Sequence, residues 1–265
     1  MTRDLGALAP IVERKLRDAE TLRCASATLW TKAESLPPAR GLQTALRGGT
    51  VIAEMKRRSP SGGELRPDLD CGSLAIDYAS AGAAAVSVLT DGPSFGGSLE
   101  DLAHVRDAVE LPLLRKDFTV DPVQVAEARV AGADWVLLIV TLFEGGLLDE
   151  CLDAVERAHA HAIVEVHDED ETARAVAAGA ECIGINNRDL RTLRCDVGVF
   201  ARLRRMVPDD VVCVAESGIR DTDTAGRLVG EGADAVLVGE ALMRASSPAD
   251  ACAAMVAAAR EAVRQ

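Results

Sequence analysis

A carboxylate and an ammonium stand two residues apart in the segment Val51-Ile-Ala-Glu-Met-Lys-Arg-Arg-Ser-Pro-Ser-Gly-Gly63. Val51, Ile52 and Ala53 form the short apolar run of a strand buried on both faces. Side chains alternate along a strand with period two, so Glu54 and Lys56 project to the same side. An opposed pair of charges at the end of a buried strand, followed by a turn-rich loop, suits a catalytic pocket; the alternative is a structural ion pair that caps the strand. The pattern recurs. Lys116 closes LLRKDF, Glu165 lies in IVEVH, Asn186 and Arg188 in IGINNRDL, Glu216 and Ser217 in VAESG, and Gly239 with Glu240 in LVGE. Ammonium and carboxylate groups gathered at one mouth would do general acid and base work. At the last two segments, Gly218 and Gly239 offer backbone N–H groups able to close on a phosphate, with Ser59 as a hydroxyl donor from the first loop. A phosphorylated small molecule is the expected substrate, unless these glycines serve only tight turns.

The elements that must position these groups follow a rhythm. Short apolar runs occur at 51–54, 84–89, 111–114, 135–140, 162–166, 182–185, 211–215 and 235–238. Alanine-rich helical patterns separate them, several ending in the glycine usual just past a helix. Strand and helix alternating eight times without a long linker predict an α/β protein, a single (β/α)8 barrel whose active-site groups lie at the strand carboxyl ends. Before it, Leu5, Leu8, Ile11, Val12 and Leu16 lie near helical spacing, and a short helix is expected over 42–46, after the breaker Pro37-Pro38. Residues 1–48 are therefore expected to form a helical extension capping the barrel, and 49–265 the barrel, within one structural domain. The repeats Ala131-Gly-Ala-Asp134 and Glu231-Gly-Ala-Asp234 read as helix-end punctuation.

Composition narrows the class. Hydrophobic residues make up 48% and aromatics only 3%, so Ala, Val, Leu and Ile must fill the core of this 265-residue chain. A net charge of −13 disfavours nucleic acid and anionic membrane surfaces. Seven cysteines with no C-x-x-C pair read as reduced, mostly buried small residues. With no export signal in MTRDLGALAP and no membrane-length apolar run, a cytoplasmic protein is expected. Nucleotide-binding motifs are absent, and His104, His159, His161 and His167 make no convincing ligand set, so neither metal nor cofactor is expected.

The segments VIAEMKRRSPS, SVLTDGPSFGGSLEDL, LPLLRKDFTVDPVQVAEARVAGAD, VLLIV, EVHDE, IGINNRDL, VAESGI and LVGEALM together resemble the indole-3-glycerol phosphate synthases, over residues 50–245. Two departures stand out: Arg40-Gly-Leu42 where many members have Arg-Asp-Phe, and Gly62 where a lysine is more frequent. The resemblance implies tryptophan biosynthesis and a cofactor-free lyase. Its reaction closes the ring of 1-(2-carboxyphenylamino)-1-deoxyribulose 5-phosphate, releasing carbon dioxide and water. It implies Lys116 as the acid beside the sugar carbonyl, Lys56 and Glu165 as acid and base for dehydration, and Glu54 as orienting group, with the division between the two lysines open. Asn186 and Glu216 would position hydroxyl and carboxylate, and Arg188 would support the aromatic end. Pro60, Phe95, Phe118, Leu137, Ile139 and Leu190 would wall the ring; Ser59, Ser217, Gly218, Gly239 and Glu240 would hold the phosphate.

Other readings remain to be weighed. A phosphoribosylanthranilate isomerase-like barrel needs a thiol and carboxylate pair, and the first strand ends in Glu and Lys with no Cys. A Schiff-base aldolase using Lys116 would be trapped by borohydride. A non-catalytic phosphate-binding barrel would not need every catalytic position filled by a competent residue. A monomer or weak homo-oligomer is expected.

Overall fold

The computed structural model describes residues 6–190 and 192–264. Eight parallel strands close into a barrel: β1 (Thr50–Met55), β2 (Ala85–Leu89), β3 (Leu113–Lys116), β4 (Trp135–Ile139), β5 (His161–Val166), β6 (Cys182–Asn186), β7 (Val212–Glu216) and β8 (Ala235–Val238). Each strand pairs with its sequence neighbours, and β1 closes the ring against β8. Both strand faces are covered, which is why every strand reads as an apolar run. Outward residues such as Val51, Ala53, Val86 and Val88 pack on the surrounding helices, while inward ones such as Ile52, Leu114, Ile163 and Val214 form a separate interior cluster.

Four strands run further than apolarity alone predicts. β1, β3, β6 and β7 continue through Met55, Lys116, Asn186 and Glu216, so their polar ends lie inside the sheet and not in the loops. β3 also begins later than the apolar run, at Leu113. Helices following the strands start on side-chain caps: Asp70, Ser98, Asp168, Asp221 and Ser247 each accept a hydrogen bond from the backbone N–H three residues on. The Ser-Pro-Ser-Gly-Gly loop after β1 folds as a two-residue antiparallel hairpin, Arg58–Ser59 against Gly63–Glu64.

The segment before β1 holds three helices: α1 (Ala9–Arg23), α2 (Ser26–Glu34) and α3 (Leu42–Leu46). Helix α1 buries Ile11, Val12, Lys15 and Ala19. The apolar spacing predicts Leu16 on the buried face, but Leu16 is 51% exposed and its neighbour Lys15 turns inward instead. Lys15 Nζ meets Asp117 Oδ1 at 2.6 Å and Asp91 Oδ2 at 3.5 Å, just beyond the carboxyl ends of β3 and β2. Leu5 lies outside the described residues. Farther on, Leu42 and Leu46 of α3 are buried in the interior cluster with Trp135, and Trp135 Nε1 donates to the Arg40 carbonyl at 2.8 Å. No helix among the described residues is long and apolar enough to cross a membrane.

Candidate active site

Strand register gathers four of the charged residues into one ring. Glu54 stands opposite Ser87, Ser87 opposite Leu114, and two residues further along β3 is Lys116. The same step leads from Leu137 opposite Ile163 to Glu165, from Glu165 through Gly184 and Val214 to Glu216, and from Glu216 through Leu237 and Ile52 back to Glu54. A layer in such a barrel is four side chains from alternate strands, as a rule branched and apolar. Two residues earlier the rule holds with Ile52, Leu114, Ile163 and Val214. At the carboxyl end the layer is Glu54, Lys116, Glu165 and Glu216, and its three carboxylates are at most 4% exposed.

Lys116 is the hub. Its Nζ donates to Glu165 Oε2 at 2.7 Å and to Glu216 Oε2 at 2.6 Å. Burial alone would lower its pKa, but Glu165, Glu216 and Glu54 together raise it above the ordinary lysine range, so the ammonium persists. Lys56, just past the end of β1, donates to Glu54 Oε1 at 2.5 Å. The two amines thus serve one cup.

The carboxylates flanking Lys116 are not equivalent. Glu165 Oε1 accepts from Asn186 Nδ2 at 2.9 Å and lies 3.2 Å from His167 Nε2. Burial pushes Glu165 up, yet Lys116 and His167 outweigh it and hold the carboxyl well below its usual range. Glu216 has Lys116 on Oε2, whereas its buried Oε1 has no hydrogen-bond partner. Burial, reinforced by repulsion from Glu165 and only partly offset by Lys116, pushes Glu216 up to about 7. Glycine makes room twice: a Cβ at Gly184 would lie 2.3 Å from Glu216 Oε1, and one at Gly239 would lie 2.2 Å from Glu54 Oε1.

Around this ring stand the remaining sequence-derived candidates. Leu137 and Ile139 point inward on β4 and are buried, with Phe95 and Leu190 packed at the edge of the same cluster. The Phe95 and Phe118 rings lie 6.2 Å apart at a 34° tilt. Pro60 is exposed on the hairpin. Arg188 donates its backbone N–H to Asn186 Oδ1 at 3.0 Å, and its guanidinium reaches the Leu193 carbonyl at 3.0 Å. Ser59 is buried and its Oγ accepts from Gly62 N at 2.9 Å. Arg244 joins the loops after β1 and β8, contacting Gly62 O at 2.8 Å and Glu240 Oε1 at 2.9 Å. Ser217 and Gly218 adopt successive left-handed conformations, φ 64° and 76°. A positive φ is strained at a serine. Glu240 differs from the other phosphate candidates in carrying a carboxylate, which is occupied by Arg244.

His167 escaped the sequence reading as a site residue. The signal was the one used on β1: it stands two residues beyond Glu165, as Lys56 stands two beyond Glu54, and so shares its side of the strand. Among the described residues, no group of three or more His, Cys, Asp or Glu side chains is arranged to hold a metal ion.

Comparison with known proteins bears on what such a cup does. Residues 8–255 match the family described as indole-3-glycerol phosphate synthase. An indole-3-glycerol phosphate synthase from Nocardioides sp. is 55% identical over 201 residues, covering 76% of this chain and 77% of the relative. One from Parafrankia sp. is 49% identical over 245 residues, covering 92% and 90%. Among solved structures, 3-hexulose-6-phosphate synthase from Salmonella typhimurium superposes with a TM-score of 0.65 at 14% identity, covering 80% of this chain and 99% of that one. Thiamine phosphate pyrophosphorylase from Pyrococcus furiosus gives 0.61 at 18%, covering 84% and 99%. At those identities the structural likeness establishes the barrel alone.

Proposed function

The chain belongs to the indole-3-glycerol phosphate synthase family, and from that premise we propose that the ring of Glu54, Lys116, Glu165 and Glu216, with Lys56, carries out the family's ring closure. The substrate is 1-(2-carboxyphenylamino)-1-deoxyribulose 5-phosphate, and the enzyme is a carboxy-lyase of tryptophan biosynthesis.

The chemistry divides among the residues by charge and position. As the aromatic carbon bearing the carboxylate attacks the sugar ketone, charge grows on the carbonyl oxygen, and the Lys116 ammonium supplies the proton that makes it a hydroxyl. Carbon dioxide then departs, leaving its bonding pair to restore the aromatic ring. A second proton converts the hydroxyl to water as the nitrogen lone pair pushes it out. A base removes a proton from the adjacent sugar carbon to complete the indole. Two protons are given and one is taken, which balances the loss of neutral carbon dioxide from a carboxylate. Lys56, oriented by Glu54, is the acid of the second stage. Glu165 is the base, because it is the carboxylate held ionised. Asn186 and Glu216 position hydroxyl and carboxylate; Phe95, Phe118, Leu137, Ile139, Leu190 and Pro60 bound the aromatic ring, with Arg188 at that end. Ser59, the Ser217-Gly218 turn, and Gly239 with Glu240 at the start of the next helix form the phosphate end.

The observation that carries this reading is the single ammonium clasped between two buried carboxylates in a layer that is ordinarily apolar. Purified protein given the substrate without added metal or nucleotide should release a fluorescent indole product. Absence of turnover by well-folded protein overturns it.

A further inference from the structure

Resting on that functional reading, we propose that His167 is a positioning residue: anchored by Glu171, it sets its Nε2 against Glu165 Oε1 as an ion-pair partner, without hydrogen-bond geometry, and so makes Glu165, and not Glu216, the carboxylate that stays charged beside Lys116. The two carboxylates would otherwise be near-equivalent partners of one ammonium, each giving Oε2 to Lys116 Nζ at 2.7 and 2.6 Å. What separates them is their other oxygen. Glu165 Oε1 faces His167 Nε2 at 3.2 Å and Asn186 Nδ2 at 2.9 Å, and Glu216 Oε1 faces the bare backbone of Gly184.

His167 is itself built in. Its Nδ1 lies 3.0 Å from Glu171 Oε2, and that same oxygen accepts the His167 backbone N–H at 2.9 Å. Thr141, in the 3-10 turn after β4, donates its hydroxyl to Glu171 Oε1 at 2.7 Å and lies 3.3 Å from His167 Nδ1. Among the described residues, the charged groups set against the imidazole are carboxylates: Glu165 from β5 and Glu171 from the helix Glu169–Ala177, with Thr141 the neutral hydroxyl from the β4 side. Between two buried carboxylates the ring carries both protons and a positive charge. Burial works against that charge, but Glu165 and Glu171 outweigh it and raise the imidazole to about 9.

This arrangement has a function in the cycle. When Lys116 gives its proton away, Glu165 loses its nearest cation; the His167 imidazolium remains, so the carboxylate is still ionised when the next proton must be accepted. With the Asn186 hydrogen bond and the His167 charge both on Oε1, Oε2 stays turned toward Lys116. Environments that push paired titratable groups apart are how one site runs an acid and a base together.

Two measurements test the proposal. Nitrogen-edited NMR of the imidazoles should show His167 titrating near pH 9, and Glu171→Gln should lower that midpoint; titration between pH 6 and 7 in the unaltered protein overturns the proposal. In steady-state kinetics, His167→Asn should lower kcat at least about tenfold with KM changed less than about threefold, and move the acid limb of kcat/KM up by about one pH unit or more. A His167→Asn profile superimposable on that of the unaltered enzyme overturns it. Should His167→Asn fail to fold, Glu171→Gln must shift the same limb in the same direction, to a smaller extent. If the unaltered enzyme does not turn over at all, the functional reading falls, while the imidazole titration still decides this one.

Discussion

The two ends of the barrel both bury charge, and they handle it in opposite ways. At the amino end Asp134 and Asp234, from the two Gly-Ala-Asp repeats, each staple the start of the preceding strand. Asp134 Oδ2 accepts from Leu113 N at 3.0 Å and Asp234 Oδ2 from Cys213 N at 2.9 Å. Arginines complete them: Arg40 and Arg106 on Asp134, Arg47 on Asp234. Their oxygens are taken by backbone and by fixed guanidinium groups. At the carboxyl end the carboxylates meet amines and an imidazole, groups that exchange protons, and Glu216 Oε1 is left without a partner. Charge that is fully satisfied by non-titrating donors holds a fold together; charge shared among titrating groups is available to a substrate.

The sharpest break in that contrast is Lys116→Ala. Removing the ammonium should lower turnover at least about 100-fold, measured by indole fluorescence, while the circular dichroism stays that of the unaltered protein. A mild loss would move the ring-closing acid elsewhere. At the other end Asp134→Ala should do the reverse. It strands Leu113 N and the inner faces of two arginines, costing about 3 kcal/mol in chemical denaturation, with kcat of the remaining folded enzyme within about twofold. If kcat falls with stability, the two ends are not separable.

An effect of similar size on stability distinguishes the ends by pH. The His167 pKa is raised from 6.5 to about 9. Its contribution to stability is therefore full below pH 6.5 and lost as pH rises through 9, about 3 kcal/mol over that window. Denaturation at pH 6.5 and 9 should show this loss in the unaltered protein and not in His167→Asn. Equal slopes in both would mean that the imidazole carries no charge in the folded state.

How much of this was legible from residues alone follows from the same contrast. The eight strands, the barrel and the gathering of Glu54, Lys56, Lys116, Glu165 and Glu216 could be read because barrel strands announce themselves as apolar runs and their carboxyl ends as polar ones. Strand boundaries are least legible where the site begins: the apolar runs stop before Lys116, Asn186 and Glu216, while the strands continue through a charged layer. Helix α1 forms as its spacing implies, with Leu8, Ile11 and Val12 buried, and only one position departs. Leu16 of that spacing is exposed and Lys15 is the inward residue instead, because Asp91 and Asp117 receive it. The split between Glu165 and Glu216 was illegible altogether. It depends on which free oxygen meets an imidazole and which meets a glycine, and neither follows from spacing along the chain.

That glycine supplies the finest test. Gly184 has no left-handed backbone to protect, so alanine there costs nothing in conformation, unlike Gly132 at the amino end with φ 102°. The methyl carbon would lie 2.3 Å from Glu216 Oε1, its severest clash, and 3.0 Å from Ile163 Cγ2. The carboxylate must turn away, and turning withdraws Oε2 from Lys116 while Glu165 keeps its own contact. Gly184→Ala should thus cost about tenfold in kcat, close to 1.4 kcal/mol of transition-state stabilisation, and less in KM. Shortening the displaced side chain relieves the clash, so Gly184→Ala combined with Glu216→Asp should fall short of the product of the two single losses. Strictly multiplicative losses would mean that the glycine and the carboxylate do not share that space.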